Sequence, residues 1–256
     1  MPRQAEVAEV GPRMEARAAV WRALWATASA SAVALAVGGC GGAGRSHAGA
    51  AAATSATGDR GAQVATGGCR EVPRPAPRRG AHEPSPQLRL SPAHTYTVKL
   101  ETNCGEIRIA LAAKSAPRTA ASFAWLVKRG FYNGLTFHRI VPNFVIQGGD
   151  PLGNGTGGPG YSVVEAPPAG TSYTRGVVAM AKTQSEPAGT SGSQFFIVTA
   201  ANAGLPPEYA LVGHVVGSDA AIEAIARTPR VSGPEGEEST PARAIVIEHA
   251  TLASGQ

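Results

Sequence analysis

Between Ala26 and Thr95 the chain has no Phe, Tyr or Trp. A stretch of that length without large apolar side chains cannot bury enough surface to offset its chain entropy. Every Phe and every Tyr lies at or beyond Tyr96. One folded domain is therefore expected over 95–252, behind a long leader and ahead of a short tail, 253–256. The domain also lacks net charge. Residues 96–256 hold 12 Lys and Arg against 12 Asp and Glu, while residues 1–95 hold 11 against 6. The formal +5 of the chain thus belongs to the leader, and nothing suggests a basic face for nucleic acid. Cysteine is scarce: Cys40, Cys69 and Cys104 are the three. The histidines are scattered singly, with no Cys/His spacing that suggests zinc.

In the leader, Arg13, Arg17 and Arg22 precede an apolar run from Ala23 to Val37. That run is shorter than the roughly 20 residues a spanning helix needs. It ends in Val37-Gly38-Gly39-Cys40. A cationic flank, a short apolar core and small residues before a cut describe a secretory signal, here 1–39, with Met1 or Met14 as its start. A Cys directly after two small residues resembles a bacterial lipoprotein processing site. That resemblance implies a lipidated Cys40 at the mature N-terminus and an extracytoplasmic domain anchored to the outer face of the cell membrane; a secreted protein is the alternative. From Gly41 to about Leu90 the chain is Gly, Ala, Ser, Pro and Arg without hydrophobic periodicity. A disordered tether over 40–94, part flexible and part extended by proline, is expected. With Cys40 acylated, Cys69 and Cys104 form either a disulfide or two free thiols. A bridge would contribute about 3 to 4 kcal/mol by restricting the unfolded chain.

Beyond Thr95 the periodicity becomes legible. Tyr96 to Glu101 and Glu106 to Leu111 alternate apolar and polar around the turn Asn103-Cys104-Gly105, which predicts a hairpin. Ala120, Phe123, Ala124 and Val127 then share a helical face. Ser115 is the expected N-cap, Pro117 falls in the first turn and Gly130 is the stop. Strands are expected over 136–141, 144–147, 177–181, 195–199 and 211–216. Ser218 and Asp219 start a second helix, and Ala244 to Ala250 a closing strand. The pattern suits a mainly β domain: a closed antiparallel barrel with two α-helices capping its ends.

Several motifs invite a catalytic reading and lose it. Gly153-Asn154-Gly155-Thr156-Gly157-Gly158 matches the dinucleotide glycine pattern, yet Pro159-Gly160 follows where a helix must open. A mobile glycine loop is the better reading. Ser191 and Ser193 lack a nucleophile elbow and a Ser/His/Asp order. His138, inside an alternating strand, reads as a structural histidine. Arg139 is different. It stands in Phe137-His138-Arg139-Ile140-Val141-Pro142-Asn143-Phe144-Val145-Ile146-Gln147-Gly148-Gly149-Asp150, between two apolar strands and near an aromatic and an amide. A guanidinium is useless as a base. It can hold a fixed donor against a weakly basic atom in a dry groove.

That run, with Gly176-Val177-Val178-Ala179-Met180-Ala181-Lys182 and Ser191-Gly192-Ser193-Gln194-Phe195-Phe196-Ile197-Val198, resembles the cyclophilins, peptidyl-prolyl cis–trans isomerases. The resemblance covers about Tyr96 to Leu252 and comes nearest the bacterial branch. It implies a closed eight-stranded barrel with two capping helices and a proline-binding groove on its outer face. Arg139 takes the catalytic position and Gln147 the position that orients it. Phe144, Val145, Phe196 and Leu205 match the proline pocket, with Val145 where many members have Met. Ala181 and Lys182 match the strand that pairs with substrate backbone, many members having Asn at the second. Gln194 matches a groove-lining glutamine. Gly204 stands where many eukaryotic members have Trp, and Tyr209 where they have His; cyclosporin binding is expected to be weakened accordingly. The resemblance implies a monomer acting on proline-containing segments; joined to the leader, it suggests a lipid-anchored isomerase that assists folding of exported proteins. It requires no metal, cofactor, nucleotide or nucleic acid. A low-turnover proline-peptide-binding module or chaperone on the same fold is the competing reading, left open by Lys182 and Gly204.

Overall fold

The computed structural model describes residues 68–233 and 236–255. The signal-like segment, Cys40 and the tether through residue 67 lie outside the described residues. The expected hairpin is β1 (Thr95–Thr102) and β2 (Gly105–Leu111). Val98 pairs with Ile109 and Leu100 with Ile107, and all four are fully buried. Lys99, Glu101, Glu106 and Arg108 take the other face, as a period of two requires. Helix α1 spans Pro117–Lys128. Its N-cap is Ala116, not Ser115, and no side chain of its own caps it. The Glu165 carboxylate, brought by a distant loop, instead accepts the backbone N–H groups of Arg118 and Thr119. A tertiary cap of this kind satisfies the same orphan donors but leaves no local signal. Helix α2 spans Ala220–Ala226.

The remaining strands are β3 (Thr136–Val141), β4 (Val145–Asp150), β5 (Val163–Val164), β6 (Val177–Met180), β7 (Thr190–Ser191), β8 (Phe195–Val198), β9 (Leu211–Val216), β10 (Arg230–Ser232), β11 (Glu238–Pro241) and β12 (Ile247–Gly255). Eight of them form one antiparallel sheet in the order β12-β1-β2-β9-β6-β8-β4-β3, with β5–β7 and β10–β11 as separate pairs. The expected closed barrel is therefore an open, strongly curled sheet with β12 and β3 at its edges. Among the described residues, the segments at the two edges meet through the bridge Thr136↔Val246 and backbone bonds such as Phe137 N–H to Ile245 O at 2.9 Å and Ile247 N–H to Leu135 O at 2.8 Å. The β3–β4 pairing has two register shifts around Phe137, and a bulge of this kind bends its strand. The closing strand then runs on to Gly255, past its expected end at Ala250, since β1 offers partners as far as Thr95.

The inner face of the curl holds the main core. Phe195 sits among Phe123, Tyr132 and Phe137 in edge-to-face contacts with centroids 5.4 to 5.7 Å apart, an arrangement that suits ring quadrupoles. Helices α1 and α2 supply Phe123, Leu126, Ile222 and Ile225 to it. A second cluster lies on the outer face of β4, β6 and β8.

Residues 69–94, expected as the last part of a disordered tether, run across the domain instead. Cys69 and Cys104 are joined by a disulfide. Arg78 N–H donates to Pro151 O and Glu83 N–H to Pro159 O, both at 2.8 Å. The Arg78 guanidinium donates to Phe131 O and lies over the Phe131 ring. Trp125 donates to Pro84 O, and Arg129 pairs with Glu83. Leu90 is buried against Ala120 and Ala124 of α1. This strap is ordered by polar fastening, and its prolines lower the entropy lost on folding. An argument from apolar burial alone misses it.

Candidate active site

Strand pairing puts the site residues in one transverse row. Arg139 on β3 faces Gln147 on β4, Gln147 faces Phe196 on β8, and Phe196 faces Ala179 on β6. These residues share the outer face, because Phe137, Ile140, Ile146 and Phe195 take the inner one. With strands about 4.8 Å apart, Arg139 is rooted about 10 Å from the backbone of Phe196. A positive group thus stands beside an apolar slot.

The slot is the second cluster. Phe144, Val145, Ala181, Phe196 and Tyr209 are buried within it, with Leu205 packed on its edge. Tyr209 meets the Phe196 ring edge-to-face at 5.5 Å. Sequence reasoning missed Tyr173, which builds this wall. Its hydroxyl donates to Tyr209 O at 2.6 Å and accepts from Tyr209 N–H at 2.9 Å. Burial pushes the Tyr173 phenol up to about 12 and that of Tyr209 higher still, so both remain neutral. A lone aromatic in a polar loop was the available signal for Tyr173.

Beside the slot opens a groove of about 740 Å³. Arg139, Gln147, Gln194, Ala181 and Lys182 line it, facing the glycine loop 153–160. That loop is cinched. The Asp150 carboxylate accepts N–H groups from Leu152, Asn154 and Gly155 at 2.6 to 2.9 Å. Gln194 Nε2 donates to Gly155 O and Gly157 O. A Cβ on Gly157 would stand 2.1 Å from Asp150 Oδ1. The glycines therefore permit close packing around a buried carboxylate, where the sequence suggested mobility. Gln147 Nε2 donates to Gln194 Oε1 at 3.0 Å, which links the row to the loop.

Strand β6 ends at Met180, so Ala181 and Lys182 lie just past it. The Ala181 N–H is taken by Gln194 O at 2.9 Å. Lys182 is buried; its ammonium donates to Thr183 O and Glu186 O, lies 3.5 Å from Glu208 and sits over the Tyr209 ring. It braces the rim of the slot. His138 is buried below the groove; burial pushes its imidazole down to about 4, against the pull of Asp150. It is neutral near pH 7. Ser193 donates to Gly149 O and Ser191 to Val163 O, so both act in packing. Sequence reasoning also missed Glu237, whose Oε2 lies 3.1 Å from Arg139 Nη2. It follows a glycine in an acidic stretch far from the other motifs, and nothing local pointed to it.

The chain was compared with known proteins. Residues 97–252 match the family model "Cyclophilin type peptidyl-prolyl cis-trans isomerase/CLD". Peptidyl-prolyl cis-trans isomerase A of Mycobacterium tuberculosis is 34% identical over 179 residues, which cover 63% of this chain and 94% of that one. A peptidyl-prolyl cis-trans isomerase of Helicobacter pylori is 36% identical over 142 residues, 51% of this chain and 85% of the relative. Among solved structures, a Cryptosporidium parvum cyclophilin type isomerase, crystallised in the presence of the dipeptide Ala-Pro, superposes with a TM-score of 0.56. It is 28% identical, over 62% of this chain and 99% of that one. A family match over more than half the chain, enzymes of the same activity covered almost end to end, and a cation held beside an apolar slot lead to one conclusion: this chain belongs to the cyclophilin-type peptidyl-prolyl cis–trans isomerases and is an isomerase enzyme.

Proposed function

We propose that Arg139 catalyses X-Pro isomerisation by donating a hydrogen bond to the prolyl nitrogen while the bond is twisted. The peptide bond resists rotation because its nitrogen lone pair is delocalised, with a barrier of about 18 to 20 kcal/mol. Uncatalysed exchange takes roughly tens to hundreds of seconds. At the twist the nitrogen becomes pyramidal and regains its lone pair, so it accepts a hydrogen bond that the planar form cannot. Such a contact stabilises the transition state selectively. In this reading Phe144, Val145, Phe196, Leu205 and Tyr209 hold the ring. Ala181 and Lys182 flank the preceding residue, Gln194 lines the groove, and Gln147 helps to orient the guanidinium. No bond breaks, and the chain's own side chains suffice for each step. The observation that carries the reading is the row Arg139–Gln147–Phe196 on one face. In a protease-coupled assay on a proline peptide, Arg139→Ala should lower kcat/KM by orders of magnitude with the fold intact. Near-normal turnover would refute the role.

We further propose that the substrates are exported or surface proteins and that Cys40 carries a lipid. The cationic and apolar pattern of the leader supports this reading. So does the Cys69–Cys104 bond, since cytosolic thiols are kept reduced.

A further inference from the structure

The β10–β11 hairpin is not part of the eight-stranded sheet, yet it packs across β3. Its backbone is gathered at Glu237: Gly233 N–H and Ser239 N–H both donate to Glu237 O at 2.8 Å. From this fixed point the carboxylate reaches Arg139 Nη2 at 3.1 Å. The Arg139 and Glu237 side chains are only 14% and 26% exposed, so water and salt screen the pair less than a surface one. Gly233, Ser239 and Thr240 of the same hairpin line the groove. The pair therefore sits at the site and not behind it.

We infer that Glu237 is a positioning residue of the isomerase site: its carboxylate sets the direction in which the Arg139 guanidinium donates to the twisted prolyl bond. The inference rests on the mechanism proposed above. A guanidinium is planar, with five N–H donors in a rigid fork. Holding one terminal nitrogen constrains where the others aim. The twisted imide nitrogen carries no net charge, so the direction of the donor matters more than the net charge behind it. A paired guanidinium still donates. A carboxylate suits the task because it only accepts, and its bond to a cation is shorter and stronger than a neutral one.

The test uses Glu237→Gln and Glu237→Asp in the full chain, with kcat, KM and melting temperature measured for each. Glu237→Gln should lower kcat by about ten- to a hundredfold, the scale expected for a misaligned catalytic group, with KM and melting temperature little changed. Glu237→Asp, which keeps the charge, should recover part of the loss. In 15N spectra of the Arg139 side chain, the terminal nitrogens should be resolved in the native chain and merge in Glu237→Gln as the fork rotates freely. In an Arg139→Ala background, Glu237→Gln should have no further effect. Native or raised kcat in Glu237→Gln, beside a crippled Arg139→Ala, would overturn the role of Glu237 alone. Normal turnover by Arg139→Ala would overturn the mechanism and this inference together.

Discussion

His138 shows how one residue's surroundings reverse its apparent promise. Beside Arg139 it has the look of a base, but burial holds its pKa near 4, below the usual 6.5. Between those values the unfolded chain binds a proton that the folded chain refuses. Stability is therefore complete above about pH 6.5, falls as pH drops toward 4 and levels below it. The loss amounts to about 3 kcal/mol at most. Denaturant melts across this window should show the slope in the native chain and a flatter one in His138→Gln. An equal slope in both would contradict the assignment. Gly204 carries a second lesson. Its φ of +65° is costly for any residue with a Cβ, so Gly204→Trp should lower stability by roughly 1 kcal/mol. That strain works against placing an aromatic wall here, so Gly204→Trp should leave any cyclosporin affinity, read by calorimetry, little raised.

Among the elements, the strap behaves least like its sequence. Removing the disulfide with Cys104→Ser should cost about 3 kcal/mol in denaturant melts, and reductant should take the native chain to the same value. A native-like midpoint under reduction would mean that the polar contacts alone hold the strap. The strands β3 and β9 were legible to the residue, because each is a short run rich in β-branched and apolar residues bounded by turn-forming residues. The disorder expected over 69–94 failed because Arg74, Arg78 and Glu83 find partners far along the chain, at Pro241, Phe131 and Arg129. The cap of α1 was invisible for the same reason: Glu165 lies 46 residues past Thr119, whose N–H it accepts. Local patterns reveal elements well. They reveal fasteners between distant elements poorly.

At the scale of the molecule, the slot was readable because its residues sit in three dense blocks that pair as neighbours in the sheet. Its second wall, Tyr173, and the carboxylate facing Arg139 come from loops with no such block. The curl of the sheet was foreseen, but not that it stays open, since alternation within a strand does not encode how the two edge strands meet. Localisation is tested on the whole chain. Cys40→Ala should shift the protein from the membrane fraction to the medium and abolish labelling by a fatty-acid probe, with isomerase activity retained. Unchanged fractionation would remove the lipid from the account.

The disulfide at Cys69 has a geometric corollary for an anchored enzyme. A fully stretched chain advances at most about 3.5 Å per residue. If the domain hung from Thr95, its leash from Cys40 could extend about 190 Å. Bolted at Cys69, the same leash can extend only about 100 Å, so, for the lipid anchor proposed above, cleaving one sulfur–sulfur bond and peeling the strap away would nearly double the radius within which the catalyst could meet a substrate.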